Sequence, residues 1–122
     1  MNDLTTQTKK FQKELNAGTS SLVLLSVLSR SKEPMYGYQI AKHIDTGSDE
    51  VPVKQGALYP VLRSLEAGGL LESRVEPSIS GPPRRYYQIT PTGRDTLRQW
   101  IEIWNRTRTF VESTLEGIRH DE

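Results

Sequence analysis

The sequence predicts a mainly α fold with a small β-ribbon. Three observations carry that expectation. Apolar residues recur at helical spacing in successive segments before residue 68, two short runs rich in Val, Tyr and Ile follow, and a long amphipathic stretch opens at Thr90-Pro91.

Residues 4–16 place Leu4, Phe11 and Leu15 on one stripe and Lys9, Lys10 and Lys13 elsewhere. A free helix this short is marginal in water, so it is expected to dock on something. Ala17-Gly18-Thr19-Ser20-Ser21 reads as a break and a fresh N-cap. It leads into residues 22–28, apolar nearly all round and so read as a central buried helix that ends before Glu33-Pro34.

A second helix starts around Tyr36-Gly37-Tyr38, lines up Ile40, Ala41 and Ile44, and stops near Thr46-Gly47. After a loop over residues 48–53, Gln55–Ala67 carries Leu58, Val61, Leu62 and Leu65 at i, i+3, i+4, i+7 spacing, with Gly68-Gly69 as its terminator. Pro60 lies inside this third helix, where its ring crowds the carbonyl of Gly56, so a bend near the first turn is expected. Residues 70–76 and 84–89 read as strands, and the proline-rich join over 77–83 looks too long for a tight hairpin. Thr90-Pro91 is an N-cap and first-turn pair for a long helix running to about Leu115 or beyond.

The 122 residues suit one compact unit. The expected divisions are an N-terminal helical arm over 1–18, a helix-rich domain with its ribbon over 19–90, and a C-terminal helix and tail over 91–122. A mean hydropathy of −0.59 argues against a membrane protein, and the longest apolar stretch, residues 22–28, is interrupted by Ser26. That stretch starts late and runs into Arg30, unlike a secretion signal, so the expected location is the cytoplasm.

Catalysis finds little support. With no cysteine there is no disulfide, thiolate metal site or cysteine nucleophile. His43 and His120 have no partners at metal-ligand spacing, and neither a glycine-rich phosphate loop nor a nucleophile elbow is present. Asp49-Glu50 and Asp121-Glu122 fall in loop and tail. A non-enzyme with no catalytic residues, metal or cofactor is expected.

Three helices followed by a ribbon make a winged helix, a helix-turn-helix variant whose third helix can enter the DNA major groove. The net charge of +1 is too small to imply nucleic-acid binding, so the case rests on where charges lie. Opposite its leucines, the third helix shows Tyr59 and Arg63, with Lys54 and Gln55 at its start. Gln55 and Arg63 can hydrogen-bond base edges and Tyr59 can donate to phosphate, although a merely solvated face fits the same residues. In the ribbon, Arg84 and Arg85 stand beside Gly81-Pro82-Pro83, suited to phosphate or a narrow minor groove. Alternation sends them to opposite faces, and a charged edge that deters aggregation is the alternative.

These residues resemble the PadR family of transcriptional regulators. The resemblance lies in Met35-Tyr36-Gly37-Tyr38-Gln39-Ile40, then Gly56-Ala57-Leu58-Tyr59-Pro60-Val61-Leu62-Arg63-Ser64-Leu65-Glu66 with Gly69-Leu70-Leu71, and then Gly81 with Arg84-Arg85-Tyr86-Tyr87-Gln88-Ile89-Thr90 through Gly93. It covers roughly residues 22–93, and the single C-terminal helix resembles the short-tailed members. The resemblance implies a homodimer that represses its target operon and releases double-stranded DNA when a small molecule binds, and the symmetry of such a dimer requires a palindromic operator. It further implies operator contacts from Tyr36 or Tyr38, Lys54, Gln55, Tyr59 and Arg63, with Arg84 and Arg85 in the wing. Pro82-Pro83 departs from the more basic or glycine-rich wing expected there.

The last helix spaces Leu97, Ile101, Trp104, Arg108, Val111, Leu115 and Ile118 close to a heptad seam, widened by Trp100, Ile103 and Phe110. So small a domain covers only part of such a helix, and a second copy is the simplest partner. Trp100 and Trp104 stand one turn apart and can line a cavity between subunits for a planar aromatic or cationic effector, or else simply anchor the dimer. The competing reading is a winged-helix protein-interaction module without DNA. RNA suits the fold less, since the A-form major groove excludes the third helix.

Overall fold

A computed structural model describes residues 3–44 and 55–118. The elements are α1 (Asp3–Ser29), β1 (Met35–Tyr36), α2 (Gly37–Ile44), α3 (Gln55–Ala67), β2 (Leu71–Ser78), β3 (Gly81–Ile89) and α4 (Pro91–Leu115). The strands form one antiparallel sheet in the order β1-β3-β2. The architecture is thus mainly helical with a small wing, as the hydrophobic spacing predicts.

The core is a leucine cluster. Leu24, Leu25 and Leu28 of α1 meet Ile40 of α2, Leu58, Leu62 and Leu65 of α3, Leu71, Tyr87 and Ile89 of the sheet, and Leu97 of α4. Each such side chain taken out of water contributes roughly 1.5–3 kcal/mol. The Gln55–Ala67 helix has the expected bounds and runs through Pro60, and its close is well defined. Gly69 adopts a φ of 79°, its N–H bonds the Glu66 carbonyl at 2.9 Å, and the Leu70 N–H bonds the Leu65 carbonyl at 2.9 Å. This pattern satisfies the last carbonyls of the helix and turns the chain into β2.

Three expectations are corrected. The break at residues 17–21 does not occur: α1 is continuous from Asp3 to Ser29. Thr19 Oγ1 donates to the Leu15 carbonyl at 3.0 Å and Ser20 Oγ to the Ala17 carbonyl at 3.4 Å. The hydroxyls bond back along the helix instead of capping a new one. A third strand, β1, pairs Met35 with Tyr87 and Tyr36 with Tyr86; two residues are too few to show strand alternation in sequence.

The third correction is the wing. Both strands continue through the supposed loop, so that Ser78 pairs with Gly81 and only Ile79 and Ser80 form the turn, with an irregularity at Pro77 between Glu76 and Ser78. Consecutive residues aim their backbone nitrogens at opposite edges, so one of Pro82 and Pro83 faces the side of β3 that β1 leaves open and the other falls at the irregularity between Glu76 and Ser78, where β2 makes no regular pair.

The sheet hands over to α4 through Thr90. Its N–H bonds the Leu70 carbonyl at 3.1 Å, its hydroxyl donates to the Gly69 carbonyl at 2.7 Å, and Thr90 Oγ1 accepts from the Gly93 N–H at 2.9 Å as the N-cap. Arg94 Nη1 also donates to the Ser29 carbonyl at 3.2 Å, holding the end of α1. Among the described residues no helix is long and apolar enough to cross a membrane.

A Cβ at Gly93 would overlap the Leu70 carbonyl oxygen and lie 2.7 Å from Ile89 Cγ1. Since backbone stands in the way, Gly93→Ala is expected to cost about 1–3 kcal/mol. Scanning calorimetry checks this, and an unchanged Tm would show that the α4 start is not packed as described.

Candidate nucleic-acid interface

Burial of Leu58, Leu62 and Leu65 decides which way α3 faces, and the opposite side presents Tyr59 and Arg63 to solvent. Gln55 opens the helix, while its side chain and Lys54 lie outside the described residues. Tyr59 is 47% exposed because its ring leans on α2. A Cβ at Gly37 would come within 2.6 Å of Tyr59 Cζ, so glycine there lets the ring lie on the backbone at the start of α2.

A second group forms where β1 meets α2. Tyr36 is half-buried, packs edge-on against Tyr86 with centroids 5.4 Å apart, and stacks on Tyr38 at 6.4 Å and 23°. The Arg84 guanidinium lies 4.4 Å from the Tyr36 ring centroid, and Lys42 Nζ lies 5.3 Å from that of Tyr38. Both are cation–π distances. Three residues expected at the site, Tyr36, Tyr38 and Arg84, are therefore brought together, and Lys42 and Tyr86 join them.

Arg85 has a different setting. Its Nη1 donates to Ser73 Oγ at 3.0 Å, and Ser73 Oγ donates to Glu66 Oε2 at 2.7 Å. The chain of bonds runs from β3 across β2 to the last turn of α3. The two adjacent arginines thus part to opposite faces of the ribbon, as alternation requires. Tyr87, on the Arg85 side, has its phenol raised above the usual tyrosine range by burial, with Arg85 opposing and Glu66 adding to the shift. It stays neutral, and the stability linked to it is lost only as pH rises into the alkaline range where an unfolded tyrosine ionises.

Sequence reasoning missed Lys42, Tyr86, Glu66 and Ser73. The i, i+4 spacing of Tyr38 and Lys42 was a readable signal. The Glu66–Ser73 bond had none, because it depends on how α3 turns into β2.

The five residues expected at the subunit interface and ligand site divide. Leu97 is buried in the protein's own core and Trp100 packs against it, whereas Ile101, Trp104 and Val111 are exposed. Trp104 and Ile101 line a groove of about 710 Å³ with Leu15, Leu22 and Val23 of α1, and Arg30 and His43 at its edge. Trp100 is not in that lining, so the two tryptophans do not share one cavity in the single chain.

The match to known families falls on this scaffold. Residues 24–99, more than half of the chain, match the Transcriptional regulator PadR-like family. The chain belongs to that family. A PadR family transcriptional regulator from Eggerthella lenta superposes with a TM-score of 0.78 at 34% identity, covering 94% of this chain and 97% of that one. A PadR-like regulator from Bacillus cereus gives 0.67 at 28% identity, covering 85% and 98%. A transcriptional regulator of Mycobacterium tuberculosis is 49% identical over 49 residues, 38% of this chain and 43% of its own length. Membership of the PadR-like family makes the protein a transcriptional regulator rather than an enzyme.

The contact of Tyr59 with the α2 backbone can be measured by coupling. Gly37→Ala is expected to destabilise the wild-type protein by about 1–3 kcal/mol through overpacking, and to cost clearly less in a Tyr59→Ala background. Equal costs in urea titrations of the two backgrounds would place the ring elsewhere.

Proposed function

We propose that this PadR-like regulator is a homodimeric repressor that binds a palindromic operator in double-stranded DNA and leaves it when a small molecule occupies the Trp104 groove. The observation that carries the reading is the outward face of α3, where Tyr59 and Arg63 stand clear of the leucine core. On this reading Lys54, Gln55, Tyr59 and Arg63 address the major groove, Tyr38 and Arg84 address the backbone beside it with the half-buried Tyr36 ring behind them, and Arg85 holds the wing against α3. On the same reading the units are an arm over 1–18, which is the first part of the continuous α1 helix, the winged helix over 19–90, and a dimerisation helix and tail over 91–122.

The dimer is supported by apolar exposure. Ile101 is 43% exposed, Trp104 39% and Phe110 68%, and Phe11 and Leu15 of α1 are exposed as well. A second copy would cover both stripes at once. The groove volume falls within the usual range for small-molecule pockets, roughly 300–1,000 Å³. Among the described residues its lining carries Arg30 and His43 and no carboxylate, which favours a planar aromatic effector stacked on Trp104 over a cationic one.

Footprinting on the protein's own upstream region is expected to show a two-fold symmetric site with half-sites about one helical turn apart, ~10 base pairs. Arg63→Ala should cost about 1–3 kcal/mol of specific binding if it reads a base. No affinity for duplex DNA even at low salt would instead favour a protein-interaction module. Ile101→Glu with Val111→Glu should yield monomers in sedimentation and weaken operator binding; a wild-type protein that sediments as a monomer would remove the dimer.

A further inference from the structure

We propose that Lys42 and Arg84 form one phosphate clamp, mounted on the Tyr36–Tyr38 stack, that grips the backbone of duplex DNA from the α2 side. The inference rests on the DNA-binding reading and adds to it a contact residue, Lys42, and a positioning residue, Tyr36.

The order along the surface is cation, ring, ring, cation. Lys42 lies over Tyr38, Tyr38 stacks on Tyr36, and Arg84 lies over Tyr36. Tyr36 is itself held: its ring packs on Tyr86, its backbone pairs with β3, and its N–H donates to Gln39 Oε1 at 3.0 Å. A half-buried ring so constrained fixes the plane on which the guanidinium rests. Arg84 is thereby drawn from the ribbon towards α2, so the wing and the helix-turn-helix present their charges as one piece.

Neither cation is neutralised by an ion pair among the described residues. The ion pairs there are Arg74–Glu76 and Arg98–Asp95. Glu76 is the cross-strand neighbour of Arg84, yet its carboxylate is engaged by Arg74. Aromatic faces orient a cation without cancelling its charge, so these ring contacts leave both groups able to meet an external anion. Two fixed cations on one exposed surface suit an anion that repeats, as backbone phosphates do, and such contacts position a protein without reading sequence.

Because phosphate contacts do not depend on sequence, the test uses a mixed-sequence duplex of about three helical turns. Binding is followed by fluorescence anisotropy over a range of salt concentrations. Each phosphate contact contributes about 0.9 to the slope of log affinity against log salt. Lys42→Ala and Arg84→Ala, both at exposed positions, are each expected to lower the slope by about that amount. Tyr36→Leu should lower it towards the Arg84→Ala value and change nothing further when Arg84 is already alanine. Tyr36→Phe, which keeps the ring, should leave it at the wild-type value.

A wild-type slope in Lys42→Ala, or independent effects of Tyr36→Leu and Arg84→Ala, would overturn the clamp while leaving DNA binding intact. Absence of binding by the wild-type protein at low salt would overturn both readings. Thermal unfolding of Tyr36→Leu separates a lost platform from a lost fold, and the other three variants decide the matter if that one does not fold.

Discussion

The arrangement depends on one contact, the packing of the α3 leucines against those of α1. Leu58, Leu62 and Leu65 are all but inaccessible, as are Leu24, Leu25 and Leu28. An amphipathic helix with its apolar stripe fully engaged has no rotational freedom left, so this contact alone turns Tyr59 and Arg63 outward. Interiors pack as densely as organic crystals, and a rotation of α3 by one residue would replace leucine with arginine in the core. The direction of the candidate DNA-reading face is therefore a by-product of burial and needs no polar interaction to hold it.

The polar interactions set something else, the position of the wing relative to that face. Arg85, Ser73 and Glu66 tie β3 and β2 to the last turn of α3, while Arg84 rests on Tyr36 at the start of α2. Single exposed contacts of this kind contribute about 1 kcal/mol or less. That is small beside the core, yet a ribbon with a two-residue turn has little else to orient it. The division of labour follows from range: burial is strong and non-directional, so it fixes the body, and hydrogen bonds and ring contacts are weak and directional, so they aim the appendage.

Helices α2, α3 and α4 are legible because each has a core face with clean periodicity, and Gly68-Gly69 correctly marks the end of α3. Misreadings occurred where local chemistry had two outcomes. Thr19, Ser20 and Gly18 can start a helix or sit inside one, and the choice was made by the burial of the leucines just beyond, which pulls the chain into register from the C-terminal side. Pro77, Pro82 and Pro83 suggested a loop, but proline is excluded only where a neighbouring strand needs its missing N–H, and the wing tip has a free edge. At the site, Tyr36, Tyr38 and Arg84 could be nominated one by one, whereas their mutual stacking depended on β1, a two-residue strand without a sequence signature.

The continuity of α1 bears on how the proposed ligand groove and the proposed DNA face could influence one another. Leu15, Thr19, Leu22 and Val23 line the groove beside Trp104, and Leu24, Leu25 and Leu28 on the same helix carry α3. Had the chain broken at residues 17–21, a displacement at the groove would have been absorbed there. A single helix instead moves as a body, because bending it within these turns would cost intrahelical hydrogen bonds. A molecule wedged between Trp104 and Val23 on the proposed reading thus bears on the same rod whose next turn supports the leucines of α3. On that reading close packing would pass the displacement on to α3, and the shift needed to spoil a groove fit is small beside a helix diameter.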